Sequence, residues 1–208
     1  MTTSQKRLSA ERRRELILDG AVPVFGERGY EGASMTAIAE AAGITPAVIY
    51  DHFSSKAELQ IELLERQTAQ LLEFVGAALA AAPEDLEARL RAGADAYFRF
   101  VEEHRSAWRM LFRDPPTDPG VAAAYRRLQG EATSAIAAFI EANAGEALER
   151  QDDPRQAAEM FAELLKQAQN GLAFWWYDHP EVSRAEVVDR LLEFCWTGLR
   201  AVAGERGQ

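Results

Sequence analysis

Apolar residues recur along this chain at helical spacing, and glycines and prolines divide them into nine blocks. In the first block Leu16, Ile17, Gly20, Ala21, Val24 and Phe25 mark one face of a helix. Ser9 before Ala10 and Glu11 fits an N-cap with an acidic first turn, and Gly29 fits the stop after Arg28. Pro23 lies inside this block, removes the hydrogen bond to the Asp19 carbonyl and predicts a kink. Ser34 caps a second helix over 35–42, with Met35, Ile38, Ala39 and Ala42 inward and Gly43 at its end. Thr45 caps a third, with Pro46 at the first helical position, where a missing N–H costs nothing. That helix runs to about His52 and buries Val48 and Ile49. Ser54 or Ser55 caps a fourth, from Lys56 towards Ala81, with Leu59, Leu63, Leu71 and Val75 inward.

Five further helices are predicted at about 84–103, 105–112, 118–143, 155–177 and 183–203, with Pro115, Pro116, Pro119, Pro154 and Pro180 in the gaps. The expected fold is all-α, in two parts: a three-helix unit over 1–56 and a helical body over 57–208. Composition agrees, since 38 Ala stand against 10 Val and 7 Ile. A single cysteine, Cys195, excludes a disulfide framework within one chain and any Cys-based zinc site. The apolar runs are too short to span a membrane, and the N-terminus leads into charge instead of an apolar signal core. A soluble cytoplasmic protein is the expectation.

Charge refines this picture. The net charge of -10 argues against a protein that coats nucleic acid non-specifically. Yet residues 1–14 carry Lys6, Arg7, Arg12, Arg13 and Arg14 against Glu11, and residues 1–56 are neutral, with seven basic and seven acidic side chains. Residues 57–208 hold 16 basic and 26 acidic residues, so the whole deficit lies there. A positive tip on an acidic body suits contact with a polyanion at one end; an ordinary N-terminal charge cluster reads the same way.

The informative stretch runs from Ala39 to Phe53. A short helix ends at Gly43, three residues turn, and a second short helix begins at Thr45, which is the helix-turn-helix arrangement. Pro46 and Ala47 keep the start of the second helix slim enough for a major groove. Tyr50, His52 and Lys56 can each donate to phosphate oxygens. By caps alone, an ordinary helical hairpin would look the same.

The full string goes further. Ala21…Phe25-Gly-Glu-Arg-Gly-Tyr30, Ser34-Met-Thr-Ala-Ile-Ala39, Ala42-Gly-Ile-Thr45 and Ile49-Tyr-Asp-His-Phe53-Ser-Ser-Lys56-Ala-Glu-Leu59 resemble the N-terminal DNA-binding domain of the TetR family of bacterial transcriptional regulators. The resemblance implies a homodimer on a pseudo-palindromic operator, with the third helix in the major groove and a small-molecule effector that releases DNA. It implies phosphate or base contacts for Ser34 and Thr36, base-edge contacts for Thr45, Pro46 and Ala47, and phosphate contacts for Tyr50, His52 and Lys56. Two departures stand out. Pro23 is untypical of the first helix, and Asp51 sits where a neutral or basic residue is common; its carboxylate is expected to face away, towards an Arg.

In the body, Tyr97, Phe98, Phe100 and Val101 span an apolar arc of roughly 160° on a helix, wider than one packed face requires. Tyr97, Phe100, Trp108 and Phe112 are candidates for an effector pocket, with Tyr125 and Phe139 on a facing wall; plain core packing is the alternative. No charged anchor stands out, so the effector is expected to be apolar or amphipathic. Leu164, Ala168, Gly171 and Trp175 form one stripe, and Val188, Leu191, Leu192, Cys195 and Leu199 another. Two such helices from each subunit would make an isologous four-helix bundle, though either stripe could pack within its own subunit. His52, His104 and His179 lie in no Glu-x-x-His pattern, and Gly-rich phosphate loops and nucleophile elbows are absent. No enzyme, metal or cofactor is expected. The competing functional readings are a helical small-molecule-binding module without specific DNA binding, and an activator that needs its ligand to bind DNA.

Overall fold

The computed structural model describes residues 9–113, 116–144, 148 and 151–202, with the backbone alone at Ala144 and 196–202. Among these residues there are nine helices and no strand. They are α1 (Ala10–Gly32), α2 (Met35–Ala42), α3 (Pro46–Tyr50), α4 (Lys56–Ala81), α5 (Leu86–Glu103), α6 (Arg105–Phe112), α7 (Pro119–Ala144), α8 (Pro154–Tyr177) and α9 (Arg184–Val202). The chain divides into two compact units, Met1–Thr68 with His104–Arg126, and Ala69–Glu103 with Arg127–Gln208.

The first unit is built on α1. Ser9 caps it, its side chain accepting from Arg12 N at 3.1 Å. Pro23 keeps helical dihedrals, and the non-helical residue inside α1 is Gly29, at φ 65°. The conformation there favours a residue without a β-carbon. Ile17, Ala21 and Phe25 are buried on the inward face. Two glycines set the close crossings. A β-carbon at Gly20 would lie 2.8 Å from Ala42 N on α2, and one at Gly26 would run into the Ser106 carbonyl on α6. Trp108, fully buried on α6, stands 5.9 Å from Phe112. Trp108 therefore belongs to the core of the unit that also carries α1 to α3.

The second unit packs α9 against α5 and α8, and α5 against α8. Phe98 and Phe100 are fully buried, and Phe98 meets Trp176 edge-to-face at 5.8 Å. Ala137, Ile140, Leu148, Ala158 and Ala162 form a cluster joining α7 to α8, with Phe139 packed against it. The inward stripe of α8 also carries two buried polar residues. Asn170 accepts from the Tyr97 hydroxyl at 2.6 Å, and Lys166 donates to Thr133 Oγ1 at 2.6 Å and pairs with Glu163 at 2.8 Å. Both of these buried side chains thus find a polar neighbour.

Candidate nucleic-acid interface

The turn between α2 and α3 is fixed by its backbone. Ser34 accepts from Ala37 N at 3.1 Å and opens α2. Gly43 closes it in the left-handed region, at φ 67° and ψ 31°, and Ile44 N reaches back to the Ala39 carbonyl at 2.9 Å. Thr45 stands at the N-cap of α3 in extended conformation, but its side chain makes no capping bond. Its exposed hydroxyl is left for another acceptor or donor. The helix ends at Tyr50, two residues short of the expected His52, and Phe53, whose N–H donates to the Ile49 carbonyl at 2.8 Å, is fully buried.

Burial of Ile49 fixes which side of α3 faces out. Pro46, Ala47 and Tyr50 share the opposite face at i, i+1 and i+4, and all three are exposed, Tyr50 at 57%. Val48 is half-buried. Ser34 and Thr36 are exposed at the start of α2, and His52 is half-buried after α3. Asp51 is exposed and has no ion pair among the described residues, so the Arg partner expected for it is not found there.

Two cations hold this edge from behind. Arg14 of α1 donates to the His52 carbonyl at 3.1 Å, pairs with Glu62 on α4 and stacks over the Phe53 ring at 4.3 Å. That single side chain ties α1, α4 and the chain leaving α3 together. Lys56 donates to the carbonyls of Tyr30 and Ala33, at 2.7 and 3.0 Å, with its ammonium 4.2 Å over the Tyr30 ring. Its charge satisfies the two carbonyls that follow the Gly29 break, so the inward side is its principal engagement. Arg12 pairs with Glu15, while Lys6 and Arg7 lie outside the described residues. At the start of α4, Ser55 accepts from Glu58 N, and Glu58 accepts in turn from the Ser54 N–H and hydroxyl. Those bonds hold the Glu58 carboxyl below its ordinary range.

The expected pocket residues are divided between the two units. Trp108, Phe112 and Tyr125 belong to the first unit, and Tyr97, Phe100 and Phe139 to the second. Tyr97, Phe100 and Trp108 are buried to the degree of core residues, and burial raises the Tyr125 pKa. An open groove of about 480 Å³ lies elsewhere, along the second half of α4, with Arg99 of α5 on its wall. Sequence reading missed Arg99 because its relation to α4 exists in three dimensions alone.

The two stripes behave differently. On α8, Leu164 is 64% exposed, Trp175 is 47% exposed, and Met160 and Gly171 are exposed with them; Ala168 is half-buried. This face is largely apolar, with the exposed Gln167 between Leu164 and Gly171. On α9, Val188, Leu191 and Leu192 are buried within their own chain, where α9 packs on α5 and α8. Cys195 is half-buried, its thiol pKa raised by burial, and the Leu199 side chain lies outside the described residues. Among the described side chains of α9, Phe194 is a large apolar one that is exposed, at 75%.

Residues 17–63 match the family described as bacterial regulatory proteins, tetR family, and residues 86–198 match a tetracyclin repressor-like C-terminal domain. The HTH-type transcriptional activator FasR of Mycolicibacterium smegmatis is 32% identical over 94% of this chain and 87% of its own length. The HTH-type transcriptional repressor AcnR of Corynebacterium diphtheriae is 40% identical over 30% of this chain and 33% of its own. A TetR-like transcriptional regulator from Rhodococcus sp. RHA1 superposes with a TM-score of 0.71 at 26% identity, covering 95% of this chain and 100% of that one. The chain, with its helix-turn-helix and its C-terminal helical part, belongs to the TetR family of bacterial transcriptional regulators.

Proposed function

We propose that the chain acts in the cytoplasm as a homodimer that binds a pseudo-palindromic operator through residues 1–56 and leaves it when an apolar or amphipathic effector occupies the body, residues 57–208. The observation that carries this reading is the outward face of α3. Thr45, Pro46, Ala47 and Tyr50 are exposed while Ile49 and Phe53 anchor the helix from beneath. Small side chains at its start let the backbone approach base edges, and the Thr45 hydroxyl is unspent. Tyr50, His52 and the protons of Ser34 and Thr36 serve the phosphates. Lys56 acts mainly by holding the edge in place. Two such helices read successive major grooves about one helical turn, or a multiple, apart.

The uncovered face of α8, through Met160, Leu164 and Trp175, supports self-association, since two copies bury the same patch symmetrically. The effector acts by population shift: it binds the DNA-incompetent form better than the competent one. Occupying an operator blocks transcription, which makes the chain a repressor. A ligand-dependent activator is the second reading, favoured by the FasR relative, which aligns over 94% of the chain.

Fluorescence anisotropy on DNA from upstream of the chain's own gene, with excess random competitor, tests the proposal. Saturable binding that survives competitor is expected, and Tyr50→Phe weakens it without changing dimer mass. Binding that competitor abolishes at every salt concentration would leave the helical small-molecule module as the function.

A further inference from the structure

Arg99 carries an unusual combination of contacts. It is half-buried on α5, between the buried Phe98 and Phe100, and its Nε is enclosed with no hydrogen-bond partner. Its guanidinium carbon stands 4.6 Å over the Phe74 ring, and Phe74 meets Phe100 edge-on at 6.0 Å. Stacking on a ring holds the guanidinium plane and leaves its edge, where the N–H donors lie, for another partner. The Nε is enclosed, so the donors which that edge offers to a groove ligand are the terminal Nη groups.

That side chain lines the groove of about 480 Å³ on α4, whose other walls are Gln70, Glu73, Phe74, Ala77, Ala78 and Ala81. The volume falls in the range of small-molecule sites. Three alanines spaced by one and three residues make a smooth apolar wall beyond the cation. We propose that this groove binds an amphipathic carboxylate, its two oxygens on the edge of Arg99 and its apolar chain along Ala77, Ala78 and Ala81. A planar fork matches a carboxylate in two parallel bonds. Glu73, exposed on the same groove, opposes a second negative charge and so disfavours phosphates. The site gives the effector of the proposed regulator a chemical class; as an effector it rests on that reading, as a binding site it does not.

The experiment is calorimetric titration of the full chain with decanoate, decan-1-ol and decylamine. Decanoate saturates at one per chain, and the alcohol and the amine bind at least tenfold more weakly. Arg99→Gln weakens decanoate on the order of tenfold or more, the loss expected for a hydrogen bond to a charged group. Glu73→Gln tightens it. Ala77→Phe fills the groove from an exposed position and abolishes binding with Arg99 intact, which decides the matter where Arg99→Gln melts early. Absence of decanoate binding, equal binding to folded Arg99→Gln, or amine binding as tight as decanoate would each overturn the site. Operator binding is measured on the same samples without decanoate. Its loss beside intact decanoate binding overturns the regulator reading alone, and the converse overturns the groove alone.

Discussion

Lys56 donates to the Tyr30 carbonyl at 2.7 Å while its ammonium stands 4.2 Å over the ring of the same tyrosine. With the Ala33 carbonyl at 3.0 Å, this cation ties the segment after the Gly29 helix break to the start of α4. Hydrogen bonds from a charged donor are worth about 1.5–3 kcal/mol each when both partners leave water, and less at a half-exposed site. Lys56→Met therefore lowers stability by about 1–3 kcal/mol in chemical denaturation. It leaves the salt dependence of operator binding unchanged. A slope reduced by about 0.9 would mean that the ammonium neutralises a phosphate instead.

Ser34 and Thr45 are both N-caps by position, but only Ser34 accepts a capping bond from its side chain. Ser34→Ala costs about 1 kcal/mol of stability. Thr45→Ala leaves the melting temperature nearly unchanged and weakens operator binding. Equal thermal losses in the two variants would show that the Thr45 hydroxyl caps α3 in solution.

At Gly26 a β-carbon meets the Ser106 backbone carbonyl, which cannot swing aside as a side chain can. Gly26→Ala forces α6 from α1 and destabilises the chain by about 1–3 kcal/mol, the usual range for overpacking. Gly130→Ala meets nothing within 4 Å and sits inside α7, so it is neutral or slightly stabilising. Paired denaturation curves distinguish the two.

Leu164 and Val188 separate assembly from folding. Leu164→Glu puts a charge on the uncovered face of α8 and yields a folded monomer in sedimentation analysis. Val188→Ala removes buried methyl groups, lowers the melting temperature and leaves the dimer mass unchanged. A dimer that survives Leu164→Glu would move the interface off α8.

Glu163 is held below the ordinary 4.5, at about 2, by hydrogen bonds from Gln167, Lys166 and Thr133. A carboxyl depressed on folding adds stability above its unfolded pKa and loses it as pH falls through the folded one. Between pH 4.5 and about 2 the melting temperature of the parent chain therefore falls more steeply than that of Glu163→Gln. Parallel curves over that window would remove Glu163 from the acid transition.

Helix boundaries were legible because serine, glycine and proline mark them locally: Ser9, Ser34 and Gly43 do in the structure what their positions predict. The outward face of α3 was legible for the same reason, since Ile49 and Phe53 fix it within one turn. What the sequence hides is the address of a buried face. An apolar stripe says that Val188, Leu191 and Leu192 leave water, not whether their partner is α5 or a second copy. The packing of α6, which carries Trp108, on α1 was hidden because α1 lies some eighty residues upstream. The break in α1 comes at Gly29, where a positive φ is free of steric cost, as the glycine after Arg28 predicts. Lys56 and Arg99 carry charge that composition counts as solvated, and their ring and carbonyl partners exist in the folded chain alone.

Selection of binding sites from a random duplex DNA pool by the purified chain tests the central claim most directly. The account predicts enrichment of an inverted repeat whose half-sites lie about one helical turn, or a multiple, apart, and its loss when Ala47→Asp places a carboxylate on the outward face of α3. A pool that emerges without any shared motif, or a motif that Ala47→Asp enriches equally well, would contradict it.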